Sequence, residues 1–275
     1  VRGEPREGRI VVGASLAGLR AAETLRDKGF TGSLTLLGDE EQPPYDRTPL
    51  SKQVLLGRTP ARDVGLPRPR AVDATWRLGV RAEGIGPVEK RVLLADGERL
   101  PYDRLLISTG TRARPWPDPA EAALDGVLTL RTADDALDGV LTLRTADDAL
   151  AARLDARPRR VLVIGAGFTG SEIASACRER GLDVTVADRG PAPLVGALGA
   201  FAAALRRAHG VDPRCGVTVT ALRGRGGRLT GAEFSDGDRI DAEVAVVALG
   251  VVRNTEWLAG SGLAAGPRGT PRARR

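Results

Sequence analysis

The chain has 275 residues, a hydrophobic fraction of 42% and only 3% aromatic residues. That apolar content excludes a disordered chain, and the length suits roughly two domains of about 100–200 residues each. The formal charge of +6 is carried almost entirely by arginine. Its scatter along the chain reads as compositional bias, with no nucleic-acid motif around it. Cys177 and Cys215 are far apart and the single histidine is His209. This pattern excludes a disulfide framework and a cysteine- or histidine-rich metal site, and it points to a reducing, cytoplasmic compartment. No apolar run approaches the ~18–20 residues of a spanning helix, and no signal peptide opens the sequence.

The first element is the aliphatic run Arg9 to Val12, followed at once by Gly13-Ala14-Ser15-Leu16-Ala17-Gly18. Leu19 to Lys28 has helical spacing and closes at Gly29; Ser33 to Leu37 reads as a second strand, with Asp39 and Glu40 just beyond. The same order returns downstream. Arg160 to Ile164 is a strand, Gly165-Ala166-Gly167-Phe168-Thr169-Gly170 a turn, and Ser171 to Arg180 a helix closed by Gly181; Val184 to Val186 is a strand ended by Asp188. A second block also repeats. Ala95 to Leu100 leads into Arg104 to Gly110, and Ser235 to Ile240 leads into Glu243 to Gly250. Each copy reads as an Asp-Gly hairpin turn followed by a buried strand that ends at glycine.

One glycine-rich hexapeptide is weak, because such strings arise by chance. Two of them, each between strand and helix and each followed by the same ribbon and strand, specify dinucleotide binding. The first glycine allows a tight turn, the second a close approach of backbone to pyrophosphate, and the third close packing of helix on strand. The helix N-terminus then offers free N–H groups and a positive dipole end. Gly165, Gly167 and Gly170 complete the later motif. The earlier one has Gly13 and Gly18 with Ser15 between them, a variant whose hydroxyl can donate to phosphate. A carboxylate after the second strand accepts hydrogen bonds from ribose hydroxyls. Asp188 fills that place in the later half and favours NAD, although the adjacent Arg189 also suits a 2′-phosphate. In the earlier half Asp39 is the first choice and Glu40 the second.

The stretch Pro44-Tyr45-Asp46-Arg47-Thr48-Pro49-Leu50-Ser51-Lys52 resembles the Pro-Tyr-x-Arg-Pro-Pro-Leu-Ser-Lys string of oxygenase-type ferredoxin reductases, members of the FAD-dependent pyridine nucleotide-disulfide oxidoreductase superfamily. The resemblance runs from about Arg9 to Leu263. It implies an α/β fold of two Rossmann-like, glutathione-reductase-type dinucleotide-binding domains, with parallel sheets and small antiparallel ribbons. The boundaries it implies are 1–117 plus 253–265 for the FAD domain and 118–252 for the NAD domain. It implies FAD and NAD(H) as cofactors and a 2Fe–2S ferredoxin of an oxygenase system as partner, with no nucleic acid and no membrane. Hydride would pass from NADH to the flavin and electrons would leave singly. By the same resemblance Gly13, Ser15, Ala17, Gly18, Asp39, Glu40, Arg47, Lys52, Val80, Thr109, Gly110 and Arg131, or its twin Arg144, serve FAD. Gly165, Gly167, Phe168, Thr169, Gly170, Glu172, Asp188 and Gly250 serve NAD. Lys52 and Glu172 are the candidate catalytic pair, with Glu172 toward the nicotinamide. The first half has no cysteine pair, unlike the disulfide reductases of the superfamily.

The sequence also departs from that pattern. Leu124 to Ala136 is repeated unchanged at Leu137 to Ala149. The second copy runs into Leu150 to Leu154 and is expected to hold the strand-to-helix position, leaving the first as an extra loop. The family's Ala-Gly-Asp motif and its C-terminal interface domain do not follow the Trp257-Leu258 region, so a C-terminal truncation is expected. Residues 266–275 read as a disordered basic tail. The alternatives are a nucleotide-binding chain without turnover and another NADH–flavin oxidoreductase, such as an NADH oxidase.

Overall fold

The computed structural model describes residues 8–66, 72–133, 160–193 and 210–263. Arg144, His209, the second copy of the duplicated segment and the C-terminal tail lie outside these residues. Contacts divide the chain into two compact units. The first comprises Val1–Asp46, Gly65–Arg112 and Arg253–Arg275; the second comprises Arg47–Val64 and Ala113–Val252. Residues 47–64 thus travel with the second unit although they interrupt the first in sequence.

In the first unit β1 (Gly8–Val12), α1 (Leu16–Asp27) and β2 (Ser33–Leu37) form one strand–helix–strand corner. The helix begins three residues earlier than its apolar spacing suggests, because Leu16, Ala17 and Gly18 of the glycine turn are already helical. Leu19 and Ala22 are fully buried on its inner face, a burial that contributes about 1.5–3 kcal/mol for the leucine. Gly29 ends the helix at φ +82°, with its N–H on Arg26 O and that of Phe30 on Leu25 O. β3 (Thr75–Arg77) and β7 (Arg104–Ile107) complete a parallel sheet of order β3-β2-β1-β7. β4 (Ala82–Gly86), β5 (Arg91–Leu94) and β6 (Arg99–Pro101) form an antiparallel sheet, turned at Gly97. Ile10, Val12 and Leu37 from the parallel sheet pack with Val92 and Leu94 from the antiparallel one.

The second unit repeats the plan. β10 (Arg160–Ile164), α3 (Phe168–Glu179) and β11 (Asp183–Asp188) give the corner, with α2 (Pro119–Ala122) preceding them in the chain. With β9 (Val127–Leu128), β12 (Asp212–Cys215) and β16 (Val244–Val247) they make a parallel sheet of order β12-β11-β10-β16-β9. β13 (Val219–Arg225), β14 (Arg228–Phe234) and β15 (Arg239–Asp241) form the antiparallel sheet, turned at Gly237. The expected ribbons are therefore three-stranded sheets. β8 (Thr111–Ala113) and β17 (Val251–Arg253) pair with each other. No helix among the described residues is long and apolar enough to cross a membrane.

The duplicated segment corrects one expectation. Its first copy is no extra loop: Val127 and Leu128 pair in parallel with Ala245 and Val246, and Leu130 and Ala133 are buried. The chain just upstream is fixed. Asp118 caps α2 by accepting from the N–H groups of Ala120 and Glu121, and Glu121 accepts from Trp116 Nε1 at 2.6 Å and from Leu222 N at 2.9 Å. The first copy is thereby delivered to the sheet edge, and Gly126 (φ +100°) lets it approach the Glu243 carbonyl. The result distinguishes the two closing strands. β16, flanked on both sides, is buried throughout, whereas β7 has β1 on one side only and leaves Leu106 43% exposed.

Both corners are closed by a glycine that has no room for a side chain. A Cβ on Gly18 would strike the Gly13 carbonyl, and one on Gly170 would strike that of Gly165. We expect Gly18→Ala or Gly170→Ala to cost about 3 kcal/mol or more, at the top of the range for overpacking, seen as a lower midpoint in thermal or urea denaturation. Gly167, with open space at its Cβ position, should accept serine within about 0.5 kcal/mol, because serine is a good N-cap. Cys177 is fully buried in α3, and burial pushes its thiol up to about 12 despite the nearby Arg180 charge. At pH 8 a thiol reagent should modify the half-buried Cys215 in the native protein and reach Cys177 only after denaturant is added.

Candidate functional site

The two glycine corners share a pair of backbone hydrogen bonds. Gly13 N donates to Leu37 O and Gly165 N to Ala187 O, both at 2.8 Å. Ser108 N donates to Val12 O at 2.7 Å and Ala248 N to Ile164 O at 2.8 Å. Gly13 and Gly165 sit at φ +113° and +102°, and in each case a Cβ would collide with the carbonyl of the facing strand end, Ser108 or Ala248. Each helix therefore starts at the carboxyl end of its strand, where its unpaired N–H groups point outward. At the N-cap positions Ser15 makes no capping bond with its hydroxyl, and Gly167 faces open space. The first helical residues, Leu16 and Phe168, are 50% and 60% exposed, an apolar side chain left facing solvent at the same place in both units.

In the first unit a cavity of about 620 Å³ opens beside the corner. Gly13, Asp39, Val80 and Thr109 line it, so four of the candidate residues come to one cavity. Ser15, Ala17, Gly18, Glu40 and Gly110 are not among the lining residues. Glu40 instead accepts from the Tyr45 hydroxyl at 2.5 Å. Asp39 is exposed at the cavity wall. Sequence reading missed other residues of the lining, among them Arg81, Arg112, Asn254, Glu256 and Trp257. Thr109 Oγ1 donates to Asn254 O at 2.6 Å and Asn254 Nδ2 returns a bond to Thr109 O at 3.0 Å, which ties the distant segment to the end of β7. Arg112 donates to Glu256 at 2.7 Å, and this bond holds the Glu256 carboxyl below its usual range and raises the guanidinium. No signal in the sequence marks these residues, since they lie some 145 positions from their partners.

In the second unit the carboxylate of Asp188 is engaged by backbone. Oδ2 accepts from Ala166 N at 2.6 Å and Oδ1 from Gly190 N at 2.7 Å. The carboxylate thus pins the glycine loop to the end of β11, and each oxygen keeps a second lone pair for a further donor. Residues 47–64 dock on α3. Leu50–Val54 forms a single π-helical turn that presents Ser51 and Lys52 to Glu172. Lys52 Nζ lies 2.9 Å from Glu172 Oε1, and Ser51 Oγ donates to Glu172 Oε2 at 2.6 Å. Lys52 also donates to Thr48 O at 3.3 Å. One helical face continues the contact: Arg58 pairs with Glu179, and Arg180 donates to Leu55 O at 2.7 Å. Arg47 donates to Arg131 O at 2.9 Å, joining two of the candidate residues. Gly250 follows β16 with φ +85°. Ser51 was not a candidate; its place beside Lys52 in the quoted string was the available signal.

Chemically, these features supply two N–H-rich helix starts, a free and a loop-bound carboxylate after the second strands, and a lysine–glutamate pair beside the second helix. No group of three or more His, Cys, Asp or Glu among the described residues suits a metal ion.

The chain is 37% identical over 262 residues to rhodocoxin reductase of Rhodococcus erythropolis, covering 92% of this chain and 58% of that protein. It is 37% identical over 266 residues to the ferredoxin–NAD(+) reductase component of the anthranilate 1,2-dioxygenase system of Burkholderia cepacia, covering 92% and 61%. The reductase in the covalent putidaredoxin reductase–putidaredoxin complex is similar with a TM-score of 0.84 and 29% identity, over 96% of this chain and 63% of that one. The chain thus spans about three fifths of the length of these curated relatives. Residues 9–273 match the family described as pyridine nucleotide-disulphide oxidoreductase, and the chain belongs to that family.

Proposed function

We propose that the chain is the two-nucleotide part of an FAD-dependent NADH:ferredoxin oxidoreductase that serves an oxygenase system through a 2Fe–2S ferredoxin. The observation that carries this reading is the repetition of one phosphate-cradle geometry in both units, down to the glycines that admit no Cβ. The residues fit the cofactors. In the first unit the helix start at Ser15 suits the FAD pyrophosphate, Asp39 its ribose hydroxyls, and Val80 its adenine, all at one cavity or its adjoining corner. In the second unit the open space at Gly167 suits the approach of the NAD pyrophosphate. Asp188 suits its ribose with the lone pairs that its backbone bonds leave over. Cys177 and Cys215 are not joined in a disulfide, which supports a reducing, cytoplasmic location.

A bound flavin supplies the chemistry, accepting a hydride from NADH and returning electrons one at a time. The chain supplies charge and orientation. Lys52 carries a positive charge held by Glu172 and by the Thr48 carbonyl, and its remaining N–H is available to an anionic ring. Glu172 offers acceptor lone pairs near the start of α3, and these would suit the hydroxyl or amide donors of the nicotinamide half of a dinucleotide. Cys177 is buried and protonated and Cys215 is distant in sequence, so neither acts as a redox thiol.

The test is to purify the chain, record flavin absorbance, and add NADH without oxygen. Bound yellow flavin that bleaches on NADH addition is the expected result. Lys52→Met should slow bleaching about tenfold, less than the loss of a fully buried donor, because the amine is 37% exposed. A colourless protein that binds NAD+ would instead identify a nucleotide-binding chain without turnover, and one that binds neither would overturn the reading.

A further inference from the structure

Among the described residues Ser51 is the single buried polar side chain, at 7% exposure. It is too deep to meet a ligand itself, yet its hydroxyl does not satisfy a neighbouring backbone group, which is the usual fate of a serine in a turn. It donates to Glu172 Oε2 at 2.6 Å, a charge-assisted bond at the short end of the range for O–H···O⁻. The other oxygen of the same carboxylate faces Lys52 at 2.9 Å. Consecutive residues of one turn therefore grip both oxygens of one carboxylate on α3.

The two grips differ in what they accomplish. The Lys52 and Glu172 side chains are 37% and 33% exposed, so the ion pair alone is screened by solvent and orients weakly. A flexible amine can follow the carboxylate through its rotamers without losing the pair. A buried hydroxyl on a short side chain cannot follow, so only one carboxylate orientation keeps this bond. Ser51 is also set against α3 by the rest of the docking face, at Arg58–Glu179 and Leu55–Arg180, which fixes the donor before any ligand arrives.

We infer that Ser51 is a positioning residue for dinucleotide binding: its buried hydroxyl locks the Glu172 carboxylate in one orientation, so that the remaining acceptor lone pairs meet the hydroxyl or amide donors of the nicotinamide-ribose half already arranged. This inference rests on the proposed dinucleotide site at Gly165–Gly170. Without the lock the carboxylate must lose its rotamer freedom when the ligand binds, a cost normally met during folding.

The experiment is a calorimetric titration of the full chain with NAD+, which involves no turnover and needs no flavin. Ser51→Ala should weaken NAD+ binding about fivefold, the size of one ordinary hydrogen bond. Ser51→Thr, which keeps the hydroxyl, should restore it. In a Glu172→Ala background, where the hydroxyl has no side-chain acceptor left at that position, Ser51→Ala should add nothing further. Should the alanine variant fold poorly by circular dichroism, Ser51→Cys provides the same comparison with a near-isosteric weak donor. Equal affinity of wild type and the Ser51 variants overturns the positioning role. So does a Ser51→Ala effect of undiminished size in the Glu172→Ala background, which marks a general structural contribution. A wild-type chain that binds no NAD+ removes the dinucleotide site itself, and the inference falls with it.

Discussion

The contact of a helix backbone against the strand that precedes it governs this molecule. Gly18 lies on the Gly13 carbonyl and Gly170 on the Gly165 carbonyl, each closer than any side chain would allow. That contact determines where the helix axis runs, and with it the direction of the unpaired N–H groups at its start. It also brings the next strand within pairing distance, so that Gly13 N finds Leu37 O and Gly165 N finds Ala187 O at one common length. The parallel sheets follow from the corners. The antiparallel sheets then cover the remaining face, as Val92 and Leu94 do over Ile10, Val12 and Leu37.

Much of this architecture was legible because its signals are local. Strand, glycine turn and helix follow one another within about thirty residues, the span of a βαβ unit. β2 and β10 fall where their aliphatic runs place them. The Asp-Gly turns were readable for the same reason: Asp96 and Asp236 each accept a bond from the N–H two residues on, at 2.9 and 3.0 Å, a motif contained in three residues. Helix starts were less legible, since Leu16 and Phe168 are exposed and contribute nothing to an apolar stripe. The duplicated segment misled because nothing within its own sequence marks the first copy as the one that supplies β9. The upstream anchors at Trp116 and Glu121 hold the chain that leads into the first copy.

The site was legible where it coincides with those local motifs and silent where distant segments meet. Asp39 and Asp188 look alike in sequence, each a carboxylate at the end of a second strand. In space they have different tasks. Asp39 stands exposed at a cavity wall, whereas both oxygens of Asp188 are drawn onto N–H groups of its own loops. No spacing rule separates the two cases, because the difference is where the Gly190 turn places its N–H. Arg112, Asn254 and Glu256 are silent for a related reason. Their association depends on the pairing of chain segments more than a hundred residues apart.

Residues 47–64 show how such a distant meeting becomes specific. A surface ion pair alone would let this segment shift along α3 at little cost. Three anchors on one helical face prevent that, and they differ in kind: a buried hydroxyl on Glu172, a guanidinium on Glu179, and a backbone carbonyl receiving Arg180. Sliding by one helical turn would set Arg58 and Lys52 against the wrong partners and leave the Ser51 hydroxyl buried without an acceptor, a loss of about 1–3 kcal/mol for that group alone. The same chemistry that orients one carboxylate therefore sets the register of the whole segment. The position of Lys52 is thus a property of the helix on which it docks rather than of the sequence that surrounds it.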